Sequence, residues 1–368
     1  MPFMKGNTAE DIHPSEVGQE RLSIEVTTRC NGSCLHCFAR SGISRNSSLP
    51  VNLVKEIITE GYVTGYRHLH ITGGEPLVWE GLFKTLDFGF SVGFETIFMN
   101  TNGTLFTEEV SKRLADYGSF FSMSISLDGP EALHDRLRGK GSYRRTIAGI
   151  EKALNRGIDL TIFTTVTRRL VTELPLFVDD LFKRFPGIDY LILIQLIRIT
   201  NGRYALSEEL LEPEDFIRLV RMVALLYVGG FRAIVKKNPL ANVVSKMLEM
   251  AWIPQVPPLY REGCMIVMAN RHIGVVHSSR NSFGRYRPGM IRTVLASDEY
   301  RRTVTPDQTT CPSCRYAQLC KENGMIRPPQ GFGDRYVNIP YCRQVLDRIA
   351  SGQVVLKIKP DRRETCVC

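Results

Sequence analysis

From residue 21 to residue 197, short β-branched and apolar runs alternate with longer amphipathic stretches. The runs predict strands over Leu22–Thr27, His68–Thr72, Thr96–Asn100, Phe120–Leu127, Leu160–Val166 and Tyr190–Ile197. Apolar positions spaced three and four apart predict helices over Val51–Tyr62, Thr107–Tyr117, Tyr143–Asn155 and Val171–Phe185. Strand and helix in alternation predict an α/β fold with a parallel sheet and right-handed crossovers. That sheet either closes, wholly or in part, into a TIM-like (β/α)6 barrel or stays open and doubly wound. Two further amphipathic runs, Glu214–Val228 and Leu240–Met250, predict a helical bridge. After Pro254 the chain turns irregular, rich in Gly, Pro, Arg and Cys, a texture that metal cross-links would help to fold. The predicted units are an N-terminal extension (1–20), the βα core (21–205), the bridge (206–255), a small Cys-rich domain (256–346) and a tail (347–368).

Composition narrows the class. At 43% hydrophobic and 23% charged residues, the 368-residue chain is too apolar for disorder. No apolar run reaches the ~18 residues that would span a bilayer, and residues 1–14 hold no signal-peptide core, so a cytoplasmic protein is expected. The net charge of +9 comes without a dense basic run or an aromatic RNA motif, which argues for no nucleic-acid partner. Ten cysteines in a reducing compartment point to metal or redox chemistry rather than disulfides. They are clustered: an N-terminal triplet, then nothing from Cys37 to Cys264, then a C-terminal group and a terminal pair.

The triplet Cys30, Cys34 and Cys37 forms a C-x3-C-x2-C loop directly after the first strand. Three thiolates on one loop can hold three corners of a [4Fe–4S] cubane and leave the fourth iron open. A structural zinc would need a fourth ligand, and only His36 is at hand. The loop, with Phe38 after its last cysteine, resembles the signature of the radical SAM superfamily. Over residues 20–205 other strand ends agree. Gly73-Gly74-Glu75-Pro76 after the second strand is similar to the family's GGEP motif, while Asn100-Thr101-Asn102-Gly103 and Ser126-Leu127-Asp128-Gly129 end strands three and four. All these motifs lie at C-terminal strand ends, where barrels place chemistry, which favours the barrel over the open sheet. The resemblance implies a partial radical SAM barrel. It also implies S-adenosylmethionine as cofactor, held by Gly73, Gly74, Glu75, Pro76, Ser126 and Arg138, and reductively cleaved to a 5′-deoxyadenosyl radical. His134-Asp135 with the Arg138–Ser142 segment is either an ordinary helix cap or a ligand-binding loop.

Cys311, Cys314, Cys320 and Cys342 could close a zinc site or a second cluster. After such a barrel they resemble the outer-cluster ligands of a SPASM domain, which implies an auxiliary [4Fe–4S] cluster and two clusters in all. The inner-cluster pattern is broken, because Ser279 and Gly324 stand where that family has cysteines. Cys264, Cys366 and Cys368 are left as orphan thiols, or as ligands of a rebuilt inner cluster if the tail folds back.

Three functions follow. The first is a maturase that abstracts hydrogen from a peptide or protein, fed by an electron donor such as flavodoxin or ferredoxin. About twenty residues precede the first strand, too few for a fused leader-binding domain, so recognition would need a separate leader-binding protein or the barrel mouth itself. The second is modification of a small molecule such as a tetrapyrrole carboxylate, as in haem or haem d1 biosynthesis. There Arg198, Arg203, Arg280, Arg285 and Arg287 would be either carboxylate ligands or a solvated rim. The third is a non-catalytic iron–sulfur scaffold or redox sensor. Gln195 and Arg198, at the end of strand six, are candidate substrate contacts. The proposed base of sulfatase maturases is an Asp just after the SPASM cysteine replaced here by Ser279, and Arg280 stands in its place.

Overall fold

The structure, a computed structural model, describes residues 21–37, 39, 41–196, 204–250, 252–256, 262–275, 282–304, 315–316, 319 and 339–352. Six strands fall within one or two residues of the predicted runs: β1 (Arg21–Glu25), β2 (His68–Thr72), β3 (Thr96–Thr101), β4 (Phe121–Ser126), β5 (Asp159–Val166) and β6 (Tyr190–Gln195). Helices α1 (Val51–Val63), α2 (Leu82–Val92), α3 (Glu108–Ala115), α4 (Glu131–Arg138), α5 (Ser142–Asn155) and α6 (Arg168–Arg184) connect them. Each of β2 to β6 pairs in parallel with the strand before it, and a seventh strand continues the row beyond β6. A doubly wound sheet would reverse its strand order at a switch point. This order never reverses through the first seven strands, so the sheet curls one way as an incomplete barrel.

The two faces of the sheet divide the chemistry. Leu22, Ile24, Leu69, Ile71 and Ile97 are fully buried on the outer face. Helix α1 comes so close there that a Cβ at Gly61 would lie 2.3 Å from the Leu22 side chain. At Gly89 of α2 it would meet Ile97 at 3.0 Å and Leu69 at 3.3 Å. Each such side chain contributes about 1.5–3 kcal/mol by leaving water. The inner face is polar, with a chain of hydrogen bonds crossing four strands. Ser23 Oγ lies 3.0 Å from His70 Nδ1, His70 Nε2 meets Asn100 Oδ1, and Asn100 Nδ2 donates to Ser124 Oγ.

The sheet outgrows the six strands expected. The segment read as a helical bridge holds α7 (Pro213–Val228) and α8 (Leu240–Met247), but between them β7 (Ala233–Lys236) joins β6 in parallel. Four residues are too short a run to signal a strand by periodicity. At the other edge β8 (Met265–Val267) pairs in parallel with β1, and β9 (Ile273–Gly274) turns back antiparallel on β8. The start of the Cys-rich region thus belongs to the barrel sheet. It is also fastened to α1. Glu60 accepts Tyr286 Oη at 2.7 Å and the backbone N–H groups of Gly289 and Ile291 at 3.0 and 2.7 Å, at the start of α9 (Met290–Ala296). Helix α10 (Asp298–Val304) follows, and α11 (Ile339–Ala350) packs against α7 and α8.

Glu60→Ala removes the acceptor of three hydrogen bonds, two of them at a helix N-terminus. Hydrogen bonds to charged groups are worth ~1.5–3 kcal/mol, so a loss of about that size is expected in denaturant unfolding, with secondary structure before the transition unchanged.

Candidate active site

The cysteine loop leaves β1 and folds back on itself through Thr28 N–H to Ser47 O (2.8 Å) and Cys30 N–H to Gly42 O (3.3 Å). It then docks on the turn after β2. Gly74 N–H donates to Thr27 O at 2.7 Å and Glu75 N–H to Arg29 O at 2.9 Å. This contact is what demands the two glycines: a Cβ at Gly73 would lie 2.7 Å from Thr27 O, and at Gly74 2.2 Å from Arg29 O. Both residues are therefore used first against protein backbone, and only then as part of a cleft wall.

A cleft of about 290 Å³ opens at the C-terminal ends of the strands. Cys30, Cys34 and Cys37 line it with Gly73, Gly74, Ser126, Arg138 and Gln195, so residues spread over 166 positions meet in one place. Glu75 and Pro76, expected beside them, do not line it. The Glu75 carboxylate is fully buried behind the wall, accepting Thr101 Oγ1 and Asn102 N–H at 2.7 Å each and Leu77 N–H at 3.2 Å. Burial raises its pKa against these three bonds. In this geometry Glu75 pins the β3 loop to the β2 turn instead of presenting an acceptor to a ligand, and Pro76 starts the short 3-10 turn beside it.

Arg138 is held by a carboxylate that its motif had placed only at a strand end. Asp128 is fully buried, and its Oδ2 pairs with Arg138 Nε and lies 3.3 Å from His36 Nε2. Its Oδ1 accepts Thr165 N–H at 2.8 Å. Burial would push this carboxyl up, but Arg138, then His36, hold it well below the usual range. Burial lowers His36 to about 4. Its Nε2 faces Asp128, while its buried Nδ1 finds no hydrogen-bond partner among the described residues. His134 accepts Asp128 N–H through Nδ1 at 3.1 Å, and Asp135 accepts the N–H groups of Gly141 and Tyr143 at the start of α5. For His134-Asp135 the cap reading therefore holds.

The loop's donors suit an iron–sulfur cluster. An added Cβ at Gly32 would sit 3.7 Å from Cys30 Sγ and 3.8 Å from Cys34 Sγ, so the sulfurs flank a hollow kept open by the missing side chain. Burial pushes the Cys30 thiol up to about 11 and raises that of Cys34 as well, so a bound cation is what would draw these protons off. Arg138 Nη1 lies 3.9 Å from Cys34 Sγ.

Residues 24–172 match the profile of the radical SAM superfamily. They form a radical SAM domain. This superfamily works with S-adenosylmethionine and a [4Fe–4S] cluster. Among curated proteins the chain is 32% identical over 202 residues to an AdoMet-dependent heme synthase of Methanosarcina barkeri, covering 54% of this chain and 56% of that protein. It is 34% identical over 160 residues to the mycofactocin maturase MftC of Mycolicibacterium smegmatis, covering 42% and 40%. The matches thus span about half of these relatives' length. The fold is shared with native anSMEcpe with bound AdoMet at a TM-score of 0.68 and 16% identity, over 90% of this chain and 96% of that one.

The remaining expectations divide by place. Gln195 lines the cleft, with Oε1 accepting Asn238 Nδ2 at 2.7 Å and Nε2 donating to Tyr341 Oη at 3.4 Å. Tyr341 precedes Cys342 on α11, so the cleft wall touches the helix that carries one expected auxiliary ligand. Arg285 and Arg287 are exposed and do not line the cleft, as a solvated rim would have it. Cys264 leads into β8, with its carbonyl accepting Tyr300 Oη at 3.1 Å. Arg198, Arg203, Ser279, Arg280, Cys311, Cys314, Cys320, Gly324, Cys366 and Cys368 lie outside the described residues. Among the described residues no helix is long and apolar enough to cross a membrane. Two residues escape the sequence reading, Lys237 of the cleft wall and Asn238, which bonds Gln195, because both follow the short strand β7.

Gly74→Ala forces a Cβ against Arg29 O, a backbone atom that cannot swing away. Iron incorporation after anaerobic reconstitution is expected to fall at least several-fold, whereas Gly187→Ala, whose Cβ would make only an ordinary 3.4 Å contact with the Leu154 side chain, leaves it unchanged.

Proposed function

We propose that this chain is a radical SAM maturase: it cleaves S-adenosylmethionine reductively and removes a hydrogen atom from a peptide or protein substrate. The observation that carries the reading is the meeting, in one cleft, of the three-cysteine loop with Gly73, Gly74, Ser126 and Arg138. When bound, the cluster and S-adenosylmethionine supply a 5′-deoxyadenosyl radical able to take hydrogen from an unactivated carbon. Cys30, Cys34 and Cys37 would hold that cluster, and Gly73 and Gly74 would let a ligand approach the backbone. Ser126 offers a hydroxyl, and Arg138 a guanidinium whose direction Asp128 fixes, suited to the cofactor's carboxylate. The similarity to the mycofactocin maturase MftC supports a maturase. An auxiliary [4Fe–4S] cluster on Cys311, Cys314, Cys320 and Cys342 would serve as electron conduit, with flavodoxin or ferredoxin as donor and a separate protein presenting the leader.

A second reading, a tetrapyrrole carboxylate as substrate, is favoured by the similarity to the heme synthase. The scaffold or sensor reading differs from both in requiring no S-adenosylmethionine.

Anaerobically reconstituted protein should hold about eight irons and about four in Cys30/Cys34/Cys37→Ala, four per cubane. With dithionite and S-adenosylmethionine the wild type should release 5′-deoxyadenosine and the triple variant none. No release from an iron-replete wild type would overturn the enzyme reading. About four irons and one zinc would leave the barrel reading intact and replace the auxiliary cluster by a zinc site.

A further inference from the structure

Gln195, the last residue of β6, is half-buried in the cleft wall, and its side chain is held from two sides. On one side stands Asn238, in the turn between β7 and α8. Its Oδ1 accepts the N–H of Leu240, the first residue of α8, at 3.1 Å, and its Nδ2 donates to Gln195 Oε1 at 2.7 Å. On the other side stands Tyr341 of α11. Gln195 Nε2 donates to its Oη at 3.4 Å, and that hydroxyl donates at 3.3 Å to the carbonyl of Glu212, directly before α7.

Main-chain groups at both ends set the direction of this row of hydrogen bonds. A backbone N–H can only donate, so the Asn238 atom that meets Leu240 is oxygen and the other is nitrogen. Gln195 must then accept with Oε1 and donate with Nε2. At the far end a carbonyl can only accept, so a Tyr341 hydroxyl that donates to Glu212 turns a lone pair to Gln195. Turning the Gln195 amide over would set Nε2 against Asn238 Nδ2, donor against donor, in a half-buried place where an unmade bond is costly. Which end of this side chain is oxygen and which is nitrogen is thus a built property of the wall.

The row does not exhaust Gln195. A primary amide carries two N–H donors and two acceptor lone pairs. Among the described residues Gln195 uses one of each, which leaves one N–H and one lone pair on a side chain that lines the cleft. Ile194 and Leu196 beside it, and Phe163 of β5, line the same cleft with apolar side chains. In a largely apolar wall, a few placed polar groups choose the ligand.

Resting on the maturase reading of this cleft, we propose that Gln195 is a specificity-determining residue that takes the substrate by an amide group, with Asn238 and Tyr341 as the residues that position it. The ligand has to offer an acceptor and a donor side by side. An amide does so, its carbonyl taking the remaining N–H and its own N–H reaching the remaining lone pair. A carboxylate at neutral pH only accepts, and it would set an oxygen against Oε1. An ester fails in the same way. The main chain of a peptide and the side chain of its Asn or Gln residues both supply the amide, whereas the carboxylates of a tetrapyrrole do not.

The test is equilibrium dialysis of the reconstituted full-length protein with S-adenosylmethionine present, at millimolar probe. Three probes of matched shape are compared: acetyl-trialanine methylamide, the all-ester acetyl-trilactate methyl ester, and that ester carrying one glutamine-like carboxamide side chain. At least one amide-bearing probe should bind about tenfold or more tightly than the plain ester, as two hydrogen bonds would give. Which one responds separates main-chain from side-chain recognition. Gln195→Met, similar in length and without polar ends, should abolish the preference. Tyr341→Phe and Asn238→Leu should each reduce it several-fold by letting the amide turn over, whereas a merely structural loosening would weaken all probes alike. Retained iron content marks the variants that have kept the fold. Coproporphyrin III, which carries carboxylates and no amide, should bind Gln195→Met as it binds the wild type. If no amide-bearing probe is held, if amides and ester bind alike, if Gln195→Met keeps the preference, or if it loses coproporphyrin III instead, the proposal is wrong. Substrate-free release of 5′-deoxyadenosine reports on the radical SAM reading independently, so failure of one is distinguishable from failure of the other.

Discussion

The approach of the cysteine loop to the turn after β2 is the contact on which the site depends. Two main-chain bonds, from Gly74 and Glu75 to the carbonyls of Thr27 and Arg29, bring backbone against backbone at a separation no side chain could share. From that contact the rest of the cleft is positioned in series. Glu75, carried by the same turn, reaches under to hold Thr101 and Asn102 and so sets the loop after β3. Asn102 in turn donates to Asn31 within the cysteine loop at 2.8 Å, closing a ring of contacts around the thiols. A buried carboxylate with three donors is stable only while all three stay in place, so the ring is rigid as a unit.

Charge organises the opposite side of the same loop. His36 sits between two of the cysteines, and Asp128 joins it to Arg138 from α4 and to the backbone of Thr165 near the end of β5. The low-dielectric surroundings that make this carboxylate costly to bury also make its pairing with Arg138 strong. The guanidinium is thus aimed before any ligand arrives, and binding would not have to order it.

Much of this was legible in the sequence because it is written in local signals. The strand runs, the three-cysteine spacing and the Gly-Gly pair each announce themselves within a few residues, and the sequential strand order then follows from alternation alone. Ser126, Arg138 and Gln195, which line the cleft, stand out in the sequence because they sit at strand ends or in recognisable strings. Glu75 is only partly legible. Its motif told of a carboxylate near the site but not of the donors from β3 that would claim it, since those lie 26 and 27 residues further on. Lys237 and Asn238 went unseen because a four-residue strand has too few alternations to be told from loop. The pairing of β8 with β1 joins segments with nothing in their own sequence to say that they are neighbours.

That last pairing has a temporal side. Glu25, the last residue of β1, accepts the N–H of Ala269 just past β8, across 244 positions of sequence. A ribosome making about 5–20 residues per second needs on the order of tens of seconds to cover that stretch. Through that interval β2 is available to β1 but β8 does not yet exist, so β1 has one open edge, and the cysteine loop extends from an unfinished sheet. Local βα units, with their short sequence separation, can form early, while this long-range closure comes last. The nascent chain is therefore born with its most oxygen-sensitive chemistry attached to its least protected strand, and delivery of iron and sulfide to a finished fold must wait for the far end of the message.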